Sequence, residues 1–214
     1  MGNPLIGRNV RVEVSKTEGA AKTVTAVTKA NPGVASSTAH AQADATVGYM
    51  NGVTGMVQLD GQAIRVNSPA ADTFQLEGID TTNYATFTAG TFVPVTVWAT
   101  LSRAASYSLG GGDADKKDNT TLLDIIKQEV NGLLAAQTAT FSLKLETLDD
   151  EALGLVRAAA LNQSYLVFRI TLADGAQRVF RGQPSLPGED VQQGEIGTGS
   201  ISVTVKGSIL FLGA

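Results

Sequence analysis

His40 is the single histidine in the 214 residues, and the chain has no cysteine. A nucleophilic enzyme needs a base beside its nucleophile. The one acid near His40 is Asp44, in a run of small residues. The expectation is a surface loop residue and not a catalyst. One His cannot supply a zinc site's ligands, and a cysteine-free chain has no disulfide framework and no thiolate chemistry. Asp149 and Asp150 could act as paired carboxylates on a glycoside, but ahead of an Ala- and Leu-rich run they read better as helix caps. Gly110-Gly111-Gly112 lacks the following Lys-Ser/Thr of a phosphate loop. Asp113, Asp115 and Asp118 have part of a calcium-loop spacing. Counting from Asp113, however, Lys117, Asp118 and Asp124 fall where that loop needs Asn/Asp, Gly and Glu. Residues 110–119, with Lys116 and Lys117 among them, therefore read as a solvated loop or as an arm that folds on meeting a partner; the arm is favoured. No cofactor is expected.

The positioning elements are strands. Hydrophobic residues make up 43% of the chain, enough for a packed core in one large β-rich domain or two small ones. Only 17% of residues are charged, against roughly a quarter in an average soluble chain. A weakly charged surface suits a subunit whose surface becomes interface. The net charge of −4 argues against holding DNA by phosphate neutralisation, and it is compatible with a surface that DNA slides past. The start MGNPLIGRNV has no signal-peptide core, and Ile6 stands where myristoylation expects Ser or Thr. No stretch approaches the ~20 apolar residues of a membrane span. Synthesis in the cytoplasm without standard export is the expectation.

Alternation places strands at residues 10–15 and 22–28, paired as a hairpin across Glu18-Gly19 and stopped by Asn31-Pro32-Gly33. Residues 35–45 read as a loop. Residues 56–59 and 63–66 flank Asp60-Gly61, a hairpin signal in which both turn residues take positive φ. A strand at 73–77 follows, then an apolar run at 92–101 that weakens over 102–109. Residues 121–130 fit a helical face through Leu122, Leu123, Ile125, Ile126 and Val130, with a strand also open. Residues 138–146 alternate cleanly, with Phe141, Leu143 and Leu145 on one face. Thr147 to Asp150 form a capping box for a helix over 150–161, which is apolar on most sides and must be covered by its own sheet or by a neighbour. A hairpin over 165–181, a connecting loop over 185–199 and a strand over 200–206, extended by 209–212, complete the chain.

Residues 52–92 resemble a short β module found in virion proteins of tailed bacteriophages. The resemblance rests on Gly52-Val53, Gly55-Met56, Leu59-Asp60-Gly61, Thr73-Phe74, Leu76, Gly78, Asp80, Tyr84 and Ala89-Gly90. That family usually has Asn at the position of Asp60, and its closing aromatic pair is matched by Tyr84 and Phe87.

The order strand, helix, hairpin and terminal strand over 138–206, with the segment GTGSISVTVKGSILFL, resembles the tail tube proteins of long-tailed phages. The resemblance implies an antiparallel β-sandwich or barrel with one flanking α-helix. Residues 1–214 would form one domain, with 45–93 as an inserted β-rich module. It further implies a structural subunit of stacked hexameric rings whose inner sheets join around a DNA channel. Partners would be further copies, a tape measure protein, a tail terminator and tail-tip or distal tail proteins. DNA would pass without being bound, the protein would not bind membranes, and its place would be the virion tail.

Two polar strand faces suit such a channel: Thr140/Ser142/Lys144/Glu146 and Ser200/Ser202/Thr204/Lys206. Residues 110–119 are the first candidate for contact between rings, through Gly110, Gly111, Gly112, Asp113, Asp115, Lys116, Lys117 and Asp118; residues 3–9 are the second. The helix over 150–161 lines the subunit boundary or packs on its own sheet. The alternatives are a tail-tip or decoration protein carrying receptor-binding loops, and a carboxylate-only hydrolase using Asp149 and Asp150.

Overall fold

The computed structural model describes residues 9–146 and 150–214. Residues 3–8 of the N-terminal candidate segment, and Thr147, Leu148 and Asp149 of the capping box, lie outside the described residues. The elements in chain order are β1 (Arg11–Glu18), β2 (Lys22–Val24), β3 (Ala26–Val27), β4 (Val34–Ser36), β5 (Val47–Thr54), β6 (Ala63–Asn67), β7 (Thr73–Leu76) and β8 (Ala89–Thr100). Then come β9 (Ala104–Gly111), β10 (Ala114–Asp118), β11 (Glu129–Leu134), β12 (Gln137–Lys144), α1 (Glu151–Leu161), β13 (Leu166–Thr171), β14 (Gln177–Pro184), β15 (Gly188–Asp190) and β16 (Thr198–Leu212). The fold is mainly antiparallel β, as the resemblance implied.

One sheet runs β3-β4-β7-β6-β5-β8-β1-β13-β14-β16-β12-β9, with β2 added to β8 and β15 to β16. Its central strands are buried on both faces, so alternate residues feed two cores. Val167 and Val179 join Met50, Ile64, Phe74, Phe92 and Leu210 in one core. Phe168 and Phe180 join Val14, Phe141, Val156, Ile201 and Val203 in the other. There Phe168 stacks on Phe180 at 5.2 Å between ring centroids and lies 5.9 Å from Phe141. Burying aromatic rings in offset contact contributes beyond the area removed from water.

Helix α1 is held at its start by Asp150, whose carboxylate accepts the Leu153 amide at 2.8 Å and the Ser102 amide at 2.8 Å. Ala152, Leu153, Val156 and Ala159 are buried against β1, β14 and β8 of its own sheet. Of the two places open to this helix from the sequence, the inner face takes the one on its own sheet.

Several local expectations are corrected. Strands β1 and β2 do not pair with each other: β1 lies between β8 and β13, and β2 pairs with β8. The long strand β8 offers both a better-buried partner. The hairpin around Asp60 is formed by β5 and β6, whereas Val57–Leu59 is a short 3-10 turn. Only Gly61 has positive φ (74°); Asp60 sits at φ −67°, ψ 118°, and Gln62 donates to the Leu59 carbonyl, the geometry of a type II turn. The expected loop at 35–45 begins inside β4, and that at 185–199 contains β15.

Candidate functional site

Strands β9, β12 and β16 lie side by side and bring the predicted polar faces together. Ser108, Thr140 and Ser202 stand in one row across the sheet, and Ser106, Ser142 and Ser200 in the next. A third row holds Gly110, Thr138 and Thr204. Directly opposed residues of antiparallel strands share a face, so the rows form one continuous surface of small hydroxyl side chains. Every one of these side chains is exposed, while Ala139, Phe141, Leu143, Ile201 and Val203 between them are buried. The face continues into Ser185, whose Oγ donates to the Ser202 carbonyl at 3.0 Å.

The ends of this face carry the charges. Lys144 is exposed at one end, opposite Thr198. Glu146 lies beyond the end of β12 and pairs with Arg103. Lys206, at the other end, is half-buried: its Nζ donates to Asp60 Oδ2 at 3.2 Å and it lies over the Tyr165 ring. Burial is the largest influence on Asp60 and pushes its carboxyl upward. The Val53 amide and Lys206 together outweigh it, and the group titrates below its ordinary value. Lys206 thus fastens the 52–92 region to β16.

Beside the polar face, β9 pairs among the described residues only with β12, so within them one full edge of β9 carries unpaired backbone groups. Such an edge is a template for another strand. The sequence reading missed Ser106 and Ser108 on this strand. Their weak alternation in ASYSLGG was the available signal, and it shows its meaning only beside Thr140 and Ser142.

Residues 110–119 are not an irregular loop. The β9–β12 pair breaks at Gly111 and Gly112, both near φ +85°, and restarts as a separate ribbon of β10 and β11. A Cβ on Gly111 would meet the Ala136 carbonyl at 2.8 Å, so glycine sets the root of the ribbon. Asp113, Asp115, Lys116, Lys117 and Asp118 all lie exposed on it, with Lys117 beside Asp115 and Lys116 beside Glu129. Residues 121–128 are neither helix nor strand. Asp124 accepts the amide and hydroxyl of Thr121, both at 2.8 Å, and closes a turn. The Thr121 amide holds the Asp124 carboxyl below its usual value, and the Thr120 hydroxyl and amide do the same for Asp118.

His40 is buried, contrary to the expectation of a surface position. Its Nδ1 accepts the Gln42 amide at 3.0 Å, which leaves Nε2 to donate to the Thr73 carbonyl at 3.2 Å. The ring meets Phe74 edge-on at 5.1 Å. Both nitrogens serve the backbone, and His40 is a packing residue. Asp150 is a helix cap, and its neighbour Asp149 lies outside the described residues. Among the described residues no cluster of three or more His, Cys, Asp or Glu is placed to hold a metal, and no helix is long and apolar enough to cross a membrane.

Fold and surface together define a mainly antiparallel β protein with a curled sheet, a flanking helix and a hydroxyl-lined face next to an open sheet edge. A family model described as phage tail tube protein, TTP, matches residues 54–214, about three-quarters of the chain. The chain belongs to the phage tail tube protein family. The family is structural, and its members are components of the virion tail. No curated protein matches the chain.

Proposed function

We propose that copies of this chain close into hexameric rings that stack into the tube through which phage DNA leaves the virion. The observation that carries the reading is the hydroxyl face of β9, β12 and β16 beside the unpaired edge of β9. Strand pairing across that edge would satisfy its backbone groups and join the faces of neighbouring copies. With β15 beside β16 as a fourth strand, four strands from each of six copies, spaced about 4.8 Å apart, give a circumference of roughly 115 Å. The resulting bore leaves room for a DNA duplex. The short neutral hydroxyls that make up most of its lining would hydrogen-bond water and give phosphates few cations to settle on.

In this reading Thr140, Ser142, Lys144, Glu146, Ser200, Ser202, Thr204 and Lys206 belong to the channel side, with Lys206 anchored by Asp60. Residues 110–118 belong to the contact between rings. The whole chain acts as one tube unit, with 45–93 as an inserted module. Its strands extend the common sheet and share a core with Val167, Val179 and Leu210. Assembly takes place in the host cytoplasm on a tail-tip or distal tail complex, around a tape measure protein, and is capped by a tail terminator.

Negative-stain electron microscopy at high concentration, paired with light-scattering mass at low concentration, tests this. Rings or hollow tubes of six-fold symmetry are expected. A monomer or trimer at every concentration, which also fails to extend tubes from added tail-tip complexes, would overturn the proposal.

A further inference from the structure

The chain contains two Asn-Gly steps, Asn51-Gly52 and Asn131-Gly132, and all four residues are exposed. Asn before Gly is the pair in which a carboxamide reacts most readily with its own backbone, because glycine puts no side chain in the way of its amide nitrogen. By sequence the two steps are equivalent. The fold treats them differently.

Asn51 lies in β5, between β6 and β8, and pairs with Thr91. Its carbonyl takes the Thr91 hydroxyl at 3.2 Å. The Asp60 carboxylate accepts the amide of Val53, at 3.2 Å, and that of Gly52. A carboxylate beside an amide opposes the loss of that amide's proton. Asn131 lies in β11, whose one partner among the described residues is β10. The ladder is irregular where β10 passes Gly132: the register shifts between Ala114 and Lys116, and a Cβ on Gly132 would meet the Asp115 carbonyl at 2.9 Å. A two-stranded ribbon with no further support is marginal in water and opens locally. Lys116 stands opposite Asn131, and the Lys117 side chain passes 3.7 Å from where a Gly132 Cβ would lie. Both lysines have acid partners, Glu129 at 3.7 Å and Asp115 at 2.6 Å. Even so, ammonium-bearing chains flank Gly132 where a carboxylate holds Gly52, and a nearby cation favours the deprotonated nitrogen.

We propose that Asn131 is a site of spontaneous deamidation and that the fold protects Asn51 from the same reaction. While the ribbon is open, the Gly132 nitrogen gives its proton to hydroxide and attacks Cγ of Asn131. The new C–N bond closes a five-membered succinimide. The carboxamide nitrogen takes a proton from water, which returns the hydroxide, and leaves as ammonia. One water then opens the ring, at the side-chain carbonyl to give aspartate or at the main-chain carbonyl to give isoaspartate. The net change is the gain of one water and the loss of one ammonia, with nothing oxidised or reduced. Isoaspartate routes the backbone through the former side chain and lengthens β11 by one atom. The pairs Lys116–Asn131 and Ala114–Leu134 cannot then both be kept. The reaction is an age mark on the ribbon, set without an enzyme.

Full-length protein held dilute at mildly alkaline pH, folded in one sample and unfolded in urea in the other, tests this. Proteolytic peptides are read by mass for the exchange of NH2 for OH at each Asn-Gly step. Isoaspartate in the peptide that carries residue 131 is counted by methyl transfer from an isoaspartyl methyltransferase. In the folded chain, conversion at Asn131 at least tenfold above that at Asn51 is expected, with isoaspartate in the product. In urea the two steps should convert at similar rates, since only the fold separates them. Equal or greater conversion at Asn51 in the folded chain overturns the proposal. So does an intact Asn131 in the folded chain at the time when the urea sample has converted.

Discussion

Gln62 holds Ser208 by both ends of its amide. Its Nε2 donates to the Ser208 carbonyl at 3.0 Å and its Oε1 accepts the Ser208 amide at 2.8 Å, across 146 residues of sequence. A side chain thus substitutes for a neighbouring strand where β16 passes the turn before β6. Gln62 is itself buried, so the pairing also satisfies its own amide. Replacing Gln62 by Leu keeps the volume and removes both bonds. The expected cost is about 1–2 kcal/mol, read as a lower urea midpoint with an unchanged slope. An unchanged midpoint would show that water replaces the amide without loss.

Phe168 and Leu123 are both large apolar residues, and the structure assigns them opposite weights. Phe168 is fully buried between Phe141 and Phe180. Phe168→Ala should cost about 3–5 kcal/mol. Leu123→Ala, on the exposed tip, should change the stability of the unassembled chain by under ~0.5 kcal/mol. Equal losses from the two, in chemical denaturation at low protein concentration, would mean that the ribbon folds back onto the body.

Tyr49 supplies a pH dependence with a definite sign. Burial pushes its phenol above the ordinary value of 10.0, and the hydrogen bond it donates to Glu18 Oε2 at 3.0 Å adds to that; Arg181 over the ring opposes. The unfolded chain therefore releases the Tyr49 proton at lower pH than the folded one. Stability from this group is intact below pH 10 and is lost as pH rises through the folded value. Tyr49→Phe should flatten the fall in melting temperature above about pH 10. Parallel curves for the two proteins across pH 9 to 11.5 would remove Tyr49 as the cause.

The hydroxyl face makes an electrostatic prediction. Thr140 and Ser202 are opposed and exposed, so Thr140→Arg/Ser202→Arg should leave the fold intact. In assembled form the variant should retain duplex DNA, with affinity falling steeply between about 50 and 200 mM salt. Wild-type assemblies should show no such retention in the same fluorescence anisotropy titration. Equal binding by both would place these rows outside the channel.

Much of the scaffold was legible because it depends on local alternation. The apolar side of β12 (Phe141, Leu143), that of β16 (Ile201, Val203, Val205), the β13–β14 hairpin and α1 all appear where the pattern put them. Strand partners were not legible. The expected β1–β2 hairpin lost to β8, because a 12-residue apolar strand can pair with both at once. The helical spacing of Leu122, Leu123, Ile125 and Ile126 was real, but the ribbon carries it away from any core in the subunit. That spacing reports on a surface that has to be covered by something other than the subunit's own sheet.

The sequence by itself determined which residues alternate, where the chain turns, and that no catalytic or metal-binding set of His and Cys exists. Those properties are local or compositional, and neighbouring residues carry them. Only the tertiary structure decided that Ser106 and Ser108 line up with Thr140, Ser142, Ser200 and Ser202, that His40 is a buried backbone partner, and that the β10–β11 ribbon leaves the main sheet at Gly111 and Gly112 with its apolar residues exposed. Each of these depends on which strands pair and in what register. That choice is made by the burial of two cores over the whole sheet, and no short stretch of sequence contains it.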